Sequence, residues 1–197
     1  MGPKAELVAG YQLRLFTRDD VLSLYETLQA NKVHLSDWKV WYEKLSTKRA
    51  IQQFIDENEQ QFNQLFDEKI HVYTHPGFQC GIINPENKVV GLVGFQGLNL
   101  RNNIAALGYW IAENEQGKGL TTLAVKNLIA YGRSVLGINR FEIQAWIGNE
   151  KSKKVAERLG FIHECILKEI ELRDGEYIDH HLYRLLPSDE WNRRILT

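Results

Sequence analysis

The sequence predicts an α/β (α+β) fold: a mixed, mostly antiparallel sheet of about seven strands flanked by helices, built as one domain over residues 1–197. Three observations carry this. An apolar run, Ile104 to Ala112, leads into a glycine turn, and a long amphipathic run, Leu120 to Leu136, leads out, which is the order strand, turn, helix. Two apolar stretches, Gln79–Ile83 and Val89–Phe95, lie just before that unit and are joined by turn residues, which makes a meander. Two more, Phe161–Leu172 and Tyr177–Leu186, flank Arg173-Asp-Gly-Glu176, a hairpin turn.

Taken in order, Tyr11, Leu13 and Leu15 alternate with Gln12 and Arg14, the pattern of a half-buried strand. Thr17-x-x-Asp20 reads as a capping box opening a helix with Val21, Leu24, Tyr25 and Leu28 on one face. The aromatic segment Leu35-Ser-Asp-Trp38-Lys-Val-Trp41 reads as loop, with Trp38 either in the core or lining a pocket. Ser46 or Thr47 caps a second helix whose apolar face is Ala50, Ile51, Phe54 and Ile55, continued by Phe62, Leu65 and Phe66. Lys69 to Gly77 is a connection. Its His71 and His75 are four apart, but Pro76 and Gly77 argue against a helix, and two histidines are too few for a metal site. Pro85–Lys88 and Asn99–Asn103 are turns. Beyond the central helix, Phe141–Trp146 is a strand reached by a helical crossover, so it should lie parallel to Ile104–Ala112. Ser152–Leu159 is a short helix stopped by Gly160.

Composition narrows the function classes. With 24 basic and 25 acidic residues the net charge is −1, so nothing calls for nucleic acid or an anionic membrane. The apolar runs are too short to span a bilayer, and the N-terminus lacks a signal-peptide core. Cys80 and Cys165 both sit in apolar runs and are expected to be free, buried thiols in a reducing cytoplasm.

The glycine turn Glu113-Asn-Glu-Gln116-Gly117-Lys118-Gly119-Leu120-Thr121-Thr122 is the strongest chemical signal. Glycine lets the backbone turn tightly and approach a ligand, and the free N–H groups of the following helix attract a phosphate. A P-loop would need Ser or Thr after Lys118, where Gly119 stands. A dinucleotide fingerprint would need glycine at Thr122, although Glu142 lies at a fitting distance for a ribose-binding acid. Asn114-Glu-Gln-Gly117-Lys-Gly119 resembles the acetyl-CoA loop of the GNAT N-acetyltransferases, Gln/Arg-x-x-Gly-x-Gly/Ala, departing from it at Asn114. Asn149-Glu-Lys-Ser152-Lys-Lys-Val155-Ala-Glu-Arg-Leu159-Gly-Phe161 resembles the second GNAT motif, Asn-x-x-Ser followed by apolar residues and Gly-Phe. Within that superfamily the chain is similar to the RimL/RimJ-type ribosomal-protein N-acetyltransferases. Leu107-Gly-Tyr109-Trp-Ile111, the Glu171 to Tyr183 hairpin and Leu35-x-x-Trp38 carry that finer resemblance, which covers nearly the whole chain.

The resemblance implies one acetyltransferase domain that uses acetyl-CoA as cosubstrate and no metal. It implies direct attack of an amine in a ternary complex, and neither Cys80 nor Cys165 falls in a motif that would make it a nucleophile. It places Ile111, Ala112, Gln116, Gly117, Lys118, Gly119, Leu120, Thr121, Asn149 and Ser152 around acetyl-CoA. A backbone N–H near Ile111 would serve the oxyanion. Ser152 would hydrogen-bond the leaving sulfur, and Glu171 would be the general base, through water. Trp38, Tyr109 and Tyr177 are candidate pocket residues. The implied acceptor is a protein N-terminus, of ribosomal proteins first. A small amine such as a polyamine, antibiotic or peptide is the alternative, as is a non-catalytic acetyl-CoA-binding module; a homodimer is left open.

Overall fold

A computed structural model describes residues 2–35, 39–67 and 73–189. The elements are β1 (Lys4–Glu6), β2 (Gln12–Leu15), α1 (Asp20–Ala30), α2 (Lys39–Lys44), α3 (Lys48–Gln64), β3 (Thr74–His75), β4 (Phe78–Ile83), β5 (Val89–Asn99) and β6 (Ile104–Ile111). A 3-10 turn (Glu113–Glu115) leads to α4 (Leu120–Ser134), β7 (Arg140–Trp146), α5 (Glu150–Arg158), β8 (Ile162–Arg173) and β9 (Glu176–Leu185). Among the described residues the sheet has nine strands in the order β1-β2-β4-β5-β6-β7-β9-β8, with β3 on the end of β5. The mixed, mostly antiparallel architecture is as the sequence predicts. The two extra strands, β1 and β3, are three and two residues long, too short to leave a period-2 signature. The pair β6–β7 is parallel, joined through α4.

The sheet separates two apolar clusters. One lies under α4 and α5 and includes Phe78, Phe95, Leu107, Leu128, Phe141, Ile143 and Val155. The other lies under α1 and α3 and includes Phe16, Leu24, Leu28, Ile51, Ile55, Leu92 and Trp110. Alternation along β6 sends Leu107 to the first and Trp110 to the second, so the faces of this strand are fixed. Buried Asn58 of α3 ties helix to sheet, donating to Gln79 O at 3.0 Å and accepting from Gln79 N–H at 2.6 Å.

Local signals hold at most boundaries. Thr47 caps α3 by accepting from Ala50 N–H, and Gly160 ends α5 at φ +75°. Asp174 and Gly175 take φ +50° and +88°, the mirror-image turn that matches strand twist. Three expectations are corrected. The segment assigned to loop runs into α2, Lys39–Lys44, although Trp38 itself lies outside the described residues, as does His71. The Thr17–Asp20 box is closed from one side: Asp20 accepts from Thr17 N–H at 2.7 Å, while no side chain caps the first turn. Cys80 is buried, but Cys165 is exposed, because β8 is an edge strand open along most of its length.

Asp20 is 2% exposed and is held by Arg14 through two hydrogen bonds, 2.7 and 2.9 Å. Burial alone would raise its carboxyl, but the Arg14 hydrogen bonds, Thr17 N–H and the Arg14 charge outweigh it and hold it below the usual aspartate value. Asp20→Ala leaves Arg14 half-buried without its partner and should lower stability by about 3 kcal/mol in urea denaturation. In the native protein the Asp20 contribution is complete above the ordinary carboxylate range. It fades as pH falls through the depressed folded value, so the gap between the two proteins should narrow at acid pH.

Candidate active site

The site begins where a ladder ends. Strands β6 and β7 pair in parallel from Ile104↔Arg140 to Leu107↔Ile143 and then part. Gly108, Tyr109, Trp110 and Ile111 on one side and Gln144 and Trp146 on the other line the resulting cleft of about 1020 Å³. Ala112 N–H donates to Val90 O across β5 at 2.8 Å. By strand alternation the N–H groups of Ile111 and Tyr109 are directed the other way, to the side of β7, where the ladder has stopped. The Ile111 N–H is thus a backbone donor at the opening.

One end of the cleft is closed by the glycine turn. Gly117 and Gly119 have φ +77° and +75°, and a Cβ on either would meet nothing within 4 Å, so the backbone there is bare toward the cleft. Gly119 is the N-cap of α4, without a side-chain cap, and the first bond inside the helix is Leu123 N–H to Gly119 O. The N–H groups of Leu120, Thr121 and Thr122 are left for an anion, and the helix dipole favours one.

The turn is clipped from outside. Glu115 is buried and accepts from Tyr11 OH at 2.7 Å and from Lys118 Nζ at 2.7 Å, while Asn31 Oδ1 accepts from Glu113 N–H at 2.8 Å. Gln116 spans two other elements: its Nε2 lies 2.7 Å from His34 Nε2, and Lys151 Nζ donates to its Oε1 at 2.8 Å.

The two faces of the opening differ in chemistry. On the α4–α5 face, Ser152 sits in the first turn of α5, its N–H held by the Asn149 cap at 3.0 Å. Its hydroxyl is 2.9 Å from Tyr109 OH. Burial pushes the Tyr109 phenol far above its ordinary value, so it stays protonated; it also lies 3.3 Å from Ser152 O as a donor, and either hydroxyl can donate to the other.

On the opposite face, Trp146 pairs with His180 across β7–β9, and pairing partners share a face. The Arg173 guanidinium stacks 5.2 Å from the Trp146 ring centre and donates to Glu171 at 2.8 and 3.1 Å. His180 Nε2 lies 2.7 Å from Glu171 Oε2. A bulge between Leu167 and Glu171 re-aims this part of β8. Asp179 holds the bulge, accepting from Glu169 N–H at 2.9 Å, where φ is +53°, and from Lys168 at 2.7 Å. Partial burial would raise the Glu171 carboxyl, but hydrogen bonds and charge from Arg173 and His180 hold it below the ordinary value, so it is ionised at neutral pH.

Of the residues the sequence assigns to acetyl-CoA, the structure brings Ile111, Gln116, Gly117, Gly119, Leu120, Thr121, Asn149 and Ser152 together on the cleft. Ala112 is buried behind it, bonded to β5, and the Lys118 side chain turns away to Tyr11 and Glu115. Tyr109 lines the cleft. Glu171 is not on the lining; it accepts from Arg173, whose guanidinium lies over Trp146, and Tyr177 is exposed near the hairpin tip. Sequence reasoning missed His34, Gln96, Gln144, Trp146 and Lys151. The signal within reach was Gly94 and Gly108, glycines inside strands, which mark close approach of another group.

The clip predicts a local effect. Glu115→Ala leaves Tyr11 and Lys118 without their shared acceptor. Amide hydrogen exchange over residues 116–119 should speed up about tenfold, while exchange in β4 and β5 stays as in the native protein.

Residues 12–162 match the family described as the acetyltransferase (GNAT) domain. YdaF of Bacillus subtilis (strain 168), provisionally named a ribosomal N-acetyltransferase, is 32% identical over 91% of this chain and 92% of its own. The ribosomal-protein-serine acetyltransferase of Escherichia coli (strain K12) is 27% identical over 90% of this chain and 93% of its own. Among solved structures, the microcin C7 self-immunity acetyltransferase MccE, in complex with acetyl-CoA and AMP, superposes with a TM-score of 0.76 at 26% identity, covering 90% of this chain and 93% of that one. The cleft between parting strands, the bare glycine turn at a helix N-terminus and these likenesses together make the chain a member of the GNAT acetyltransferase family.

Proposed function

We propose that this acetyltransferase takes acetyl from acetyl-CoA and transfers it to the N-terminal α-amine of a protein, with ribosomal proteins the acceptor class to which its relatives' names point. The observation that carries this is the division of the opening: the glycine cradle at one end, a hydroxyl on one face and a carboxylate behind the other. The cradle fits a pyrophosphate, because both glycines leave open space where a Cβ would stand.

Acetyl-CoA, when bound, supplies the activated thioester. The residues act around it. The cleft holds the thioester carbonyl within reach of the Ile111 N–H, which stabilises the oxyanion as the C–N bond forms. Glu171 takes the amine proton through an intervening water, which suits a carboxylate that is not itself on the lining. Ser152, positioned beside Tyr109, donates a hydrogen bond to the sulfur as the C–S bond breaks. An α-amine has a pKa of about 8 and a lysine about 10.4, so the first is far more readily deprotonated by a carboxylate whose own value is low.

The decisive experiment is mass spectrometry after incubation with labelled acetyl-CoA, ribosomal proteins and a panel of small amines. Label on protein N-termini is expected; label confined to lysine side chains or polyamines overturns the acceptor assignment. Ser152→Ala should lower kcat at least about tenfold, with a smaller rise in the acetyl-CoA KM, as for an interaction made chiefly in the transition state. A change in KM alone would make Ser152 a binding residue.

Glu171→Gln should depress kcat/KM most at low pH, where more of the amine carries a proton. Since Arg173 and His180 keep Glu171 ionised, the native enzyme keeps an acceptor for the amine proton at low pH, so the acid limb of Glu171→Gln should follow the free amine near pH 8 while that of the native enzyme lies lower. An unchanged profile in Glu171→Gln places the base elsewhere.

A further inference from the structure

Gln96 is the extra residue of a bulge in β5: Phe95 pairs with Leu107 and Gly97 with Ala106, leaving Gln96 unpaired between them. The Gln96 side chain lies over Gly108 of the neighbouring strand. A Cβ on Gly108 would come within 2.0 Å of Gln96 Nε2 and 2.6 Å of its Cγ, so any other residue there would displace the carboxamide. Gly108 is the first β6 residue beyond the last β6–β7 pair, Leu107↔Ile143, so the carboxamide lies at the opening itself. Two residues from Trp110, Gly108 shares its face. That is the α1–α3 face, opposite Tyr109.

The neighbouring strand repeats the arrangement. Gln79 lies over Gly94, where a Cβ would be 2.0 Å from its Oε1. Its Nε2 donates to Phe95 O at 3.0 Å, bracing the residue that opens the bulge, and its Oε1 is buried with no partner among the described residues. No hydrogen bond to the Gln96 side chain is made by any described residue, although it lines the cleft. A carboxamide offers one donor group and one acceptor, and so does a peptide group; a polyamine offers no acceptor carbonyl.

We propose that Gln96 is the specificity-determining residue for the acceptor, pairing its carboxamide with the first peptide group of the incoming chain. This rests on the N-terminal acetylation reading above and deepens it. The pairing is neutral, so it selects a peptide over a polycation by hydrogen-bond complementarity, and a site built to hydrogen-bond a group rejects the analogue that lacks it.

The test uses Gln96→Met, which keeps length and volume while removing the amide, together with Gln96→Ala. Two acceptors are compared: an N-terminal tripeptide and the matched depsipeptide, whose first amide is an ester. With the tripeptide, both variants should lose about tenfold or more in kcat/KM through the acceptor KM, with the acetyl-CoA KM unchanged. With the ester, native and variant enzymes should differ by less than about twofold. If native enzyme acetylates the tripeptide and Gln96→Met does so equally well, the Gln96 assignment is overturned while the function stands. If native enzyme acetylates no N-terminal peptide, the acceptor reading falls and Gln96 with it.

Discussion

Everything at this site depends on one interrupted ladder. Strands β6 and β7 share four pairs and then separate, because β7 continues as the partner of β9 up to Trp146↔His180 while β6 continues as the partner of β5 up to Ile111↔Gly91. Each strand satisfies one edge along its length, and the two facing edges are left open beyond Leu107 and Ile143. Backbone groups exposed in this way need partners from water or a ligand. The sheet supplies a binding slot through its middle, closed at one end by the glycine turn, and the cleft reaches both faces.

The second requirement is that the glycine turn be bare yet fixed. Gly117 and Gly119 give it left-handed backbone and no side chain, which also removes anything that could stiffen it from within. Stiffness comes from the N-terminal third of the chain. Tyr11, Asn31 and His34 reach the turn through Glu115, Glu113 and Gln116, and Lys151 adds a tie from α5. Ordering the turn before a ligand arrives lowers the entropic cost of binding, since the N–H groups are already aimed.

Charge is divided across the sheet with the same economy. On the α4–α5 face the hydroxyls of Ser152 and Tyr109 are neutral, burial keeping Tyr109 protonated, and the charged groups there are those of α5, Glu150, Lys151, Lys154 and Arg158. The other face holds Arg173, His180 and Glu171, where the cation and the imidazole keep the carboxylate ionised at some sacrifice of basicity. A base of that kind suits an amine that gives up its proton easily and acts best through water. Strands β5 and β8 each carry a bulge here, one at Gln96 and one between Leu167 and Glu171, the second held by Asp179.

The sequence by itself determined what local backbone chemistry controls. Thr47 and Asn149 as caps, Gly160 as a helix stop, Asp174-Gly175 as a hairpin turn and the strand–glycine–helix unit are all decided within a few residues, and each stands where the pattern places it. So are Asn149 and Ser152, which share one capped turn, and the run Gln116 to Thr121, apart from the Lys118 side chain. Tertiary structure decided the rest. Lys118 turns away because Glu115 and Tyr11, 104 positions apart, meet beside it. Cys165 is exposed because β8 fell at the sheet edge, and Gln96 lies at the cleft because β5 pairs with β6 at the point where β6 and β7 part. Periodicity reports which residues share a face of a strand; which face is covered, and where two strands part, depends on pairings formed between distant segments.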